Sequence, residues 1–588
     1  PVRLALMPFV SGSLTNYSGI GQTTTLTPTG RAGLDLKYGI NDAFTLDMTL
    51  IPDFGQVRSD DKVLNLSAYE VRYDEQRPFF TEGLELFNKG DLFYSRRIGG
   101  SPRNYNAAYE ELKSGEKVVF NPSEGQILNS TKISGRTKSG LGIGVLNSIT
   151  NHLDAIVQND KGEERKIETD PLTNYNVLVL DQNLKNNSFV SFTNTNVWRA
   201  GNAQESNVSG GILSLNDKTN TYRFSGIAQL SQQYATGFKN VDLGQKYDIW
   251  AGKISGKWQY GLNYWQIDDH FDPNDLGYLP YNNERGLNVR GSFREFKPKQ
   301  KNLQNYSISA NATYNRLVTP NEFTTLSMGT NFNMTTKKFF SAGLFFYAQP
   351  TITYDYFEPR VWGKVFQISD NYNLGGWISS DYRKRFALDV NGNFRFYNDK
   401  IDNRYRANIS ISPRFRVNNQ LSFNAGIESY NFINDVGFAE MPNEDPIFGR
   451  RNVFTLVNTL NTKYIFNNRM GFSLRFRHYW SSAAYRYYNM LNPDGTLGPA
   501  FNELHGEKLN ADRSFNAFTV DAVYSWVFAP GSEASVVWKQ GIYQSDQETR
   551  RDYLADINKT FTSPQTNTLS VKILYYIDYQ NISSIFKK

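Results

Sequence analysis

Apolar and polar residues alternate one by one over many stretches of about ten residues along the chain. In residues 386–396, one set of alternate positions is mainly phenylalanine, leucine and valine, and the other is mainly aspartate, asparagine and arginine. Residues 405–415 and 470–480 repeat the pattern. Successive side chains of a β-strand point to opposite faces, so each stretch predicts a strand with one apolar and one polar face.

About ten residues is the length that a tilted strand needs to cross the hydrocarbon layer of a membrane, whereas strands of soluble sheets are usually nearer five or six. The connections between the predicted strands alternate between two size classes. Short ones are predicted near 138–140, 185–187, 216–218, 418–419, 467–468 and 529–531. Long polar ones are predicted at 152–173, 232–246, 268–283, 432–449, 481–514 and 544–565. Short periplasmic turns and long outer loops are typical of outer-membrane β-barrels.

The alternation predicts about 23 strands from Leu128 to the end of the chain. Three more are predicted upstream, at 2–14, 31–38 and 43–51. The predicted fold is therefore all-β, a single closed antiparallel transmembrane barrel of about 26 strands, within a range of 24 to 28. An even number places both termini on the periplasmic side, as bacterial single-chain barrels require.

One stretch departs from the alternation. Residues 52–126 are rich in charged and aromatic side chains and contain only short strand-like pieces, such as 63–71 and 92–95. Connections of this length without their own strands are usually functional or disordered. A barrel of this size, about 50 Å across, is too wide for side chains to fill, so we expect this segment to fold inward as a plug or constriction.

Composition narrows the class further. The 588 residues include 15% aromatic side chains, a formal charge of only +6 and no cysteine. The mean hydropathy of −0.53 and the lack of a long apolar run argue against membrane-spanning helices, but a barrel exposes only alternate residues to lipid. The mixed charges give no support for nucleic-acid binding. Because such a protein is secreted and no signal peptide opens the chain, we expect a mature or trimmed product.

Two groups of motifs resemble a known family. The first group comprises Asp53–Val57, Val63–Glu70, Gln76–Gly83 and Phe93–Gly99, and the second is Asp272–Leu279. Together they resemble the large Bacteroidota outer-membrane β-barrel family of unknown function that usually follows a family-9-like carbohydrate-binding domain. The resemblance covers most of the chain and implies an outer-membrane barrel of that phylum, with no reaction to carry over. Because this sequence lacks the preceding carbohydrate-binding domain, we expect either that the domain was removed or that this is a shorter member of the family, and glycan binding is not implied.

Charged residues concentrate beside aromatic ones within the irregular segment. They are Arg72, Asp74, Glu75, Arg77, Glu82, Glu85, Arg96 and Arg97. One interpretation is a luminal constriction whose charges hold the plug and select what passes. The other is a structural ion-pair network without a transport role, since buried charges need partners in either case. Glu82 and Glu85 could also be a pair of catalytic carboxylates, although a spacing of three residues does not fix their geometry.

Basic residues recur on the polar faces of several predicted strands. They are Arg290, Arg294, Arg395, Arg406, Arg414, Arg475 and Arg477. They could form an anion-attracting luminal wall, or they could keep a wide lumen wet and pair with carboxylates. Four acidic residues crowd one outer loop: Asp268, Asp269, Asp272 and Asp275. They are a candidate calcium site, without the regular spacing of an EF-hand.

Neither a histidine metal site nor a phosphate-binding loop is supported by the sequence. The four histidines, at positions 152, 270, 478 and 505, lie far apart, which favours surface or girdle positions over a metal site. Residues 140–144 are rich in glycine but follow a strand pattern, so we expect them to make room for the plug rather than bind phosphate.

These features predict a transport, export or assembly barrel of the outer membrane, with its lumen occluded by residues 52–126. The expected surroundings are outer-membrane lipid and lipopolysaccharide, other outer-membrane proteins or surface lipoproteins, and no nucleic acid. The alternatives are a non-conducting scaffold within a multi-protein complex and a membrane-embedded hydrolase. No catalytic motif or cofactor is predicted, apart from the candidate calcium.

Overall fold

The computed structural model describes residues 3–18, 25–201, 203–235, 240–399, 403–549 and 552–579. Within these ranges the alternating stretches form strands, and most of these strands join one large antiparallel sheet. This follows from the alternation itself, because a strand buries one face only when its neighbours continue the same surface.

The helices and strands follow one another along the chain in a fixed order. They are β1 (Arg3–Ser18), β2 (Thr25–Gly39), β3 (Phe44–Leu50), α1 (Ala107–Glu110), β4 (Lys117–Phe120), β5 (Ile127–Arg136), β6 (Leu141–Thr150), β7 (Leu153–Gln158), β8 (Glu164–Asp170), β9 (Thr173–Asn183), β10 (Phe189–Arg199), β11 (Glu205–Asn216), β12 (Tyr222–Tyr234), β13 (Val241–Lys253), β14 (Trp258–Ile267), β15 (Glu284–Glu295), β16 (Leu303–Arg316), β17 (Phe323–Thr336), β18 (Ser341–Gln349), β19 (Thr353–Asp355), β20 (Phe366–Ile368), β21 (Asn371–Ser379), β22 (Phe386–Tyr397), β23 (Tyr405–Arg416), β24 (Leu421–Glu440), β25 (Ile447–Asn467), β26 (Met470–Leu491), β27 (Leu497–Phe501), β28 (Glu503–Leu504), β29 (Glu507–Lys508), β30 (Arg513–Ala529), β31 (Ser532–Asp546), α2 (Tyr553–Thr562), β32 (Gln565–Leu574) and β33 (Ile577–Asp578).

The large sheet closes on itself. Strand β1 pairs with β32 in register from Phe9 opposite Leu574 to Ser18 opposite Gln565. The ring contains 24 strands within the described ranges, because β27 pairs only with the outer part of β26 and β33 continues β32 along β1. Strands β4, β7 and β8 form a separate sheet, and β19–β20 and β28–β29 are separate pairs. The predicted closed antiparallel barrel with an even number of strands is confirmed.

The predicted count of 26 strands is not confirmed. Strands β1, β2 and β3 correspond to the three predicted upstream of the irregular segment, so the difference lies after Leu128. Strands β24, β25 and β26 contain 20, 21 and 22 residues. They are about twice as long as a membrane crossing requires, but their outer parts lie within the predicted connections 432–449 and 481–514 and do not change the count. Strands β19 and β20 lie outside the ring, in a range where the sequence predicts no long connection, so strand-like pieces there inflate the predicted number.

All connections longer than seven residues within the described ranges lie at one end of the barrel, as predicted, but some connections at that end, such as 317–322 and 441–446, contain only six residues. The connections at the other end contain two to seven residues. Short ones, such as 137–140 and 530–531, lie at the same end of the barrel as Arg3 and β33. Glycines with positive φ serve two of these tight turns, at Gly140 (φ 90°) and Gly531 (φ 73°). Both ends of the described chain therefore lie at the short-turn end.

Four of the predicted long connections are mostly strand: 152–173, 232–246, 432–449 and 481–514. Strands β12 and β13 continue into the range 232–246, and β24 and β25 continue into 432–449. Ladder hydrogen bonds between neighbouring strands satisfy the backbone of these polar residues, so the strands extend beyond the apolar pattern. The connection at 268–283 has the predicted bounds.

The apolar set of each alternating stretch lies on the outside of the ring. In β22, the side chains of Phe386, Phe394 and Phe396 are 52%, 46% and 47% exposed, which an aqueous surface would not favour. Exposed apolar residues recur in the same way along most strands of the ring. A closed sheet with an apolar outer band is the structure that satisfies every backbone group within lipid. We therefore describe the protein as a membrane-spanning β-barrel.

The described helices are short. The longer one, α2, has ten residues and packs on the outer side of the barrel wall, against His478 and Phe518. No described helix is long and apolar enough to cross a membrane.

Candidate functional site: the inner wall and residues 52–126

Residues 52–126 leave the barrel wall and return to the place where they left it. Strands β3 and β5 pair with each other, and Ile51 N–H donates to the carbonyl of Leu128 at 2.9 Å. Strand β3 ends and β5 begins at this place, at the end of the barrel that carries the long connections. The segment therefore behaves as one long insertion between two adjacent strands and does not interrupt the ring.

The first part of the segment, residues 53–67, is extended and is held by side chains of β26 and β30–β32. Ser59 Oγ donates to Asp521 at 2.8 Å, and Leu64 N–H donates to Tyr479 Oη at 3.2 Å. Lys539 donates to the carbonyl of Val57. These wall residues alternate with the exposed apolar ones, so they project to the inner face of the barrel.

The second part, residues 79–98, packs against strands β5, β6, β9 and β10 through an apolar cluster. Phe80, Phe87 and Ile98 are fully buried, and Leu146 and Val179 of the wall lie against them. Strand β6 leaves room for this contact with small residues. A side chain at Gly142 would begin 2.9 Å from Leu86 Cδ2. Gly142 and Gly144 therefore lie against the segment, as expected, whereas Gly140 lies in a turn beside Asn183.

Only some of the eight charged residues that were predicted to cluster in this segment contact one another. Glu75 and Arg77 form a buried two-pronged ion pair, with N–O distances of 2.9 and 2.7 Å, and Ser95 Oγ donates to Glu75 at 2.7 Å. Burial raises the pKa of Glu75, but the hydrogen bonds and charge of Arg77 outweigh burial and hold that pKa below its usual value. This pair fixes the conformation of residues 75–98, because Arg77 also donates to the carbonyls of Ser95 and Ile98.

The remaining members of the cluster serve separate contacts. Arg96 pairs with Asp60, and Arg97 forms a two-pronged pair with Glu70 at 2.8 and 2.7 Å. Arg72 lies over the rings of Tyr94 and Tyr278, with 5.4 and 5.3 Å between the guanidinium carbon and the ring centroids. The other three carboxylates are exposed and show no side-chain partner within the described ranges: Asp74, Glu82 and Glu85. Glu82 and Glu85 therefore present no catalytic arrangement.

The predicted basic wall divides into two groups. Arg475 and Arg477 bind Asp61 of the segment, with N–O distances of 2.6 and 3.5 Å. Arg406 binds Asp435 at 2.7 Å. The other four members form no ion pair with any described residue. Three of them lie over aromatic rings, and Arg294 faces the open lumen. The three ring contacts are Arg290 over Trp250, Arg395 over Tyr347 and Arg414 over Tyr382. Three of the seven predicted residues, Arg406, Arg475 and Arg477, thus pair with carboxylates as the second interpretation expects.

The acidic outer loop is occupied by internal contacts. Asp275 pairs with Arg199 and Arg103, and Asp268 accepts the N–H groups of Gln245 and His270. Asp272 accepts the N–H of Asn274 at 2.9 Å, an Asx turn. No group of three or more histidine or carboxylate side chains in the described ranges is arranged to hold a metal ion. The geometry therefore gives the candidate calcium site of Asp268, Asp269, Asp272 and Asp275 no support.

A cavity of about 750 Å³ lies between residues 61–67, the connection 350–370 and the inner faces of β22–β26. Its wall carries Arg395, Arg406 and Arg477 of the predicted set. It also carries Arg404, Asp435 and Arg451, which sequence reasoning missed. These three lie near or beyond the outer ends of the predicted ten-residue strands, so no alternation marked them as inward-facing.

A family model described as a domain of unknown function, DUF5916, matches residues 1–586. The chain belongs to this family. The DUF5916 match spans the barrel and the inward segment together, and its description assigns no reaction, in agreement with the resemblance seen in the motifs. None of the curated proteins compared with the chain matches it.

Solved structures similar to this DUF5916 chain are distant. The ferric yersiniabactin uptake receptor FyuA from Yersinia pestis is 8% identical over 97% of this chain and 80% of that chain, with a TM-score of 0.38. The FrpB iron transporter from Neisseria meningitidis is 9% identical over 80% and 83%, with a TM-score of 0.35. OpdL of Pseudomonas aeruginosa is 10% identical over 69% and 97%, with a TM-score of 0.30. These similarities indicate neither a substrate nor a mechanism for this chain.

Sequence reasoning also missed the role of His478. It was expected at the surface or in the outer girdle, but it is only 2% exposed and lies beneath α2. Tyr553 Oη of that helix is 3.1 Å from His478 Nδ1 and accepts from Asn458 at 2.8 Å. The signal was available, because Asn458 and His478 break an apolar outward face and polar groups there need a cover.

Proposed function

We propose that this DUF5916 protein is an outer-membrane transport barrel whose lumen is occluded by its own residues 52–126. Its short-turn end and both chain ends face the periplasm, and its long connections face the cell exterior, among lipopolysaccharide and other surface proteins. The barrel is too wide to be filled by the side chains of its wall, so an unoccupied lumen would leak.

One observation carries this proposal. Residues 52–126 are bonded to inner-face side chains on widely separated strands of the ring. Ser59 binds Asp521 of β30, whereas Lys89 binds Asp181 of β9 and the carbonyl of Gly90 accepts from Gln229 of β12 at 2.6 Å. A single segment with bonds to both groups of strands crosses the space that a solute would use.

The two parts of the segment are held by different forces, which favours a gate over a permanent seal. Residues 79–98 bury phenylalanine and leucine side chains against the wall. Residues 53–67 instead make many hydrogen bonds and ion pairs, whose partners water replaces at a smaller net cost, together with apolar packing of Phe54, Val63 and Leu64. We propose that the extended part moves while the apolar part stays seated.

The decisive experiment is single-channel conductance of the purified protein in planar bilayers, before and after removal of residues 53–126. The deletion can be closed by a short glycine linker, because Leu50 lies opposite Asn129 in the β3–β5 pair. We expect a closed wild-type barrel and a conducting deletion variant. If the correctly folded deletion variant is also silent, the transport proposal fails.

The scaffold alternative rests on a different observation. Strands β24–β26 extend about ten residues beyond a membrane crossing, and their outer parts form a wall above the lipid. Such a wall could hold an outer-membrane protein or surface lipoprotein in place. Purification from the native membrane in mild detergent distinguishes the two: a stable stoichiometric partner together with a silent deletion variant would favour the scaffold.

A further inference from the structure

Five arginines and five carboxylates line the cavity between residues 61–67 and β22–β26, but they pair unevenly, because three of the arginines surround one carboxylate. We infer that it binds a small organic anion, held through its carboxylate or phosphate group by Arg395, Arg406 and the neighbouring arginines. This inference deepens the proposed transport function by naming the class of solute, and it rests on that function only for its biological meaning.

The arginines gather around one buried carboxylate. Asp435 is 2% exposed, and Arg404, Arg406 and Arg451 approach it at 3.0, 2.7 and 3.3 Å. Three guanidinium groups on one carboxylate leave an excess of positive charge. The Nε atoms of Arg404 and Arg406 are buried without a hydrogen-bond acceptor, so two donors of this group are unmet.

Arg395 adds a fourth basic group at the cavity wall. It lies directly opposite Arg406 in the β22–β23 pair, on the same face. Like charges directly opposite one another destabilise a pair of strands. Arg395 donates to Asn371 Oδ1 at 3.1 Å, and no carboxylate within the described ranges forms an ion pair with it. An anion between the two guanidinium groups would remove this repulsion.

The other carboxylates of the cavity have partners of their own. Asp61 pairs with Arg475, and Asp355 accepts the N–H groups of Phe357 and Glu358 at 2.9 and 3.0 Å. Glu428 accepts from Tyr430 Oη at 2.7 Å. Glu358 accepts the N–H of Phe438 at 2.9 Å, and burial raises the pKa of this carboxyl group. None of the four carboxylates is bonded to Arg395 or Arg406.

The size and lining of the cavity limit the solute. About 750 Å³ is within the usual range for small-molecule sites. Tyr397, Phe432 and Tyr479 give the cavity aromatic surface beside the guanidinium groups. Arginine binds carboxylate and phosphate oxygens in a two-pronged geometry. The arrangement therefore fits an oxyanion attached to a small ring or carbon skeleton.

The test measures whether three matched probes bind to the detergent-purified barrel. Binding is detected by saturation-transfer NMR, which is sensitive to weak ligands. Benzoate carries a carboxylate, phenyl phosphate carries a phosphate, and benzamide is a neutral match for benzoate. We expect one or both anions to bind and benzamide not to bind. Benzoate alone would identify a carboxylate solute, and phenyl phosphate alone a phosphate solute.

Arg395→Gln is the decisive variant, because it leaves the ion pairs of Asp435 intact. We expect it to weaken anion binding by about tenfold or more, as for loss of a charged hydrogen bond. Arg414→Gln is the matched control: Arg414 also projects inward, from β23, but lies over Tyr382 outside the cavity. Heat-modifiable migration on gels checks that both variants fold as barrels.

The inference is overturned if benzamide binds as well as the anions, if neither anion binds, or if Arg414→Gln weakens binding as much as Arg395→Gln. Its failure is separate from failure of the transport proposal. A silent deletion variant together with anion binding by the wild-type barrel removes transport and keeps the site, whereas a conducting deletion variant together with a wild-type barrel that binds no anion does the reverse.

Discussion

Gly144 of β6 lies against the ring of Phe87, and a side chain at this glycine would begin 3.1 Å from Phe87 Cζ. The contact joins the inner wall of the barrel to the apolar part of the 52–126 segment. A position on the inner face of a wide barrel would tolerate any side chain if the lumen were empty there. The glycine thus marks the place where the segment is seated.

Replacing this glycine should unseat the segment. We expect Gly144→Val to destabilise the packed segment by about 1–3 kcal/mol, as overpacking of a buried contact does. The measurement is limited proteolysis of residues 79–98 together with bilayer conductance, which should show cleavage and intermittent leak. Gly211→Val is the control, because no atom lies within 4 Å of a Cβ at Gly211. Equal effects of the two variants would contradict the seating.

The extended part of the segment can be tested by a disulfide bond. The chain contains no cysteine, so Ser59→Cys with Asp521→Cys introduces one defined pair at a contact of 2.8 Å. We expect oxidation to join the two positions in most molecules and a reducing agent to release them, as seen by a shift on gels. The Ser59→Cys single variant should show no shift. Failure to cross-link under any oxidant would mean that residues 53–67 do not lie along β30.

The Glu75–Arg77 pair predicts a dependence on pH. The depressed pKa of Glu75 means that its ionised form stabilises the native segment at a pH above the pKa of an unfolded glutamate. This stabilisation is lost as the pH falls through the lower, folded-state pKa. We expect Glu75→Gln to cost about 3 kcal/mol at pH 7, since it leaves Arg77 buried without its partner.

Thermal unfolding of wild type and Glu75→Gln between pH 2 and pH 8 provides the measurement. The difference between the two should be constant above about pH 5 and should shrink towards low pH. Glu82→Gln is the control, since Glu82 is exposed. A difference that stays constant down to pH 2 would show that Glu75 is not stabilised as an anion.

Helix α2 should stabilise the barrel through Tyr553. Tyr553→Phe removes the hydroxyl shared by Asn458 and His478 and leaves both polar groups buried on the outer side of the wall. We expect a loss of about 1–3 kcal/mol in the free energy of unfolding. Leu554→Ala on the neighbouring, 74% exposed position should have little effect. Urea unfolding of both variants in detergent compares them, and equal losses would argue against the polar contact.

The sequence alone determined the class of fold. Alternation in stretches such as 386–396 requires two different surroundings for the two faces of a strand, and the turn signals at 138–140 and 529–531 separate the strands. Both signals are local, because side-chain direction and turn chemistry depend on neighbouring residues. The irregular segment was visible for the same reason, as a stretch in which the period fails.

Only the tertiary structure decided which residues contact one another across the barrel. The length of each strand depends on which residues continue the ladder beyond the lipid, as in β24–β26, and the backbone accepts polar residues there as readily as apolar ones. The group around Asp435 joins Arg404, Arg406 and Arg451 from positions up to 47 residues apart. The closure of the sheet and the register of its strands bring such distant residues into contact. No local sequence pattern encodes either the closure or the register.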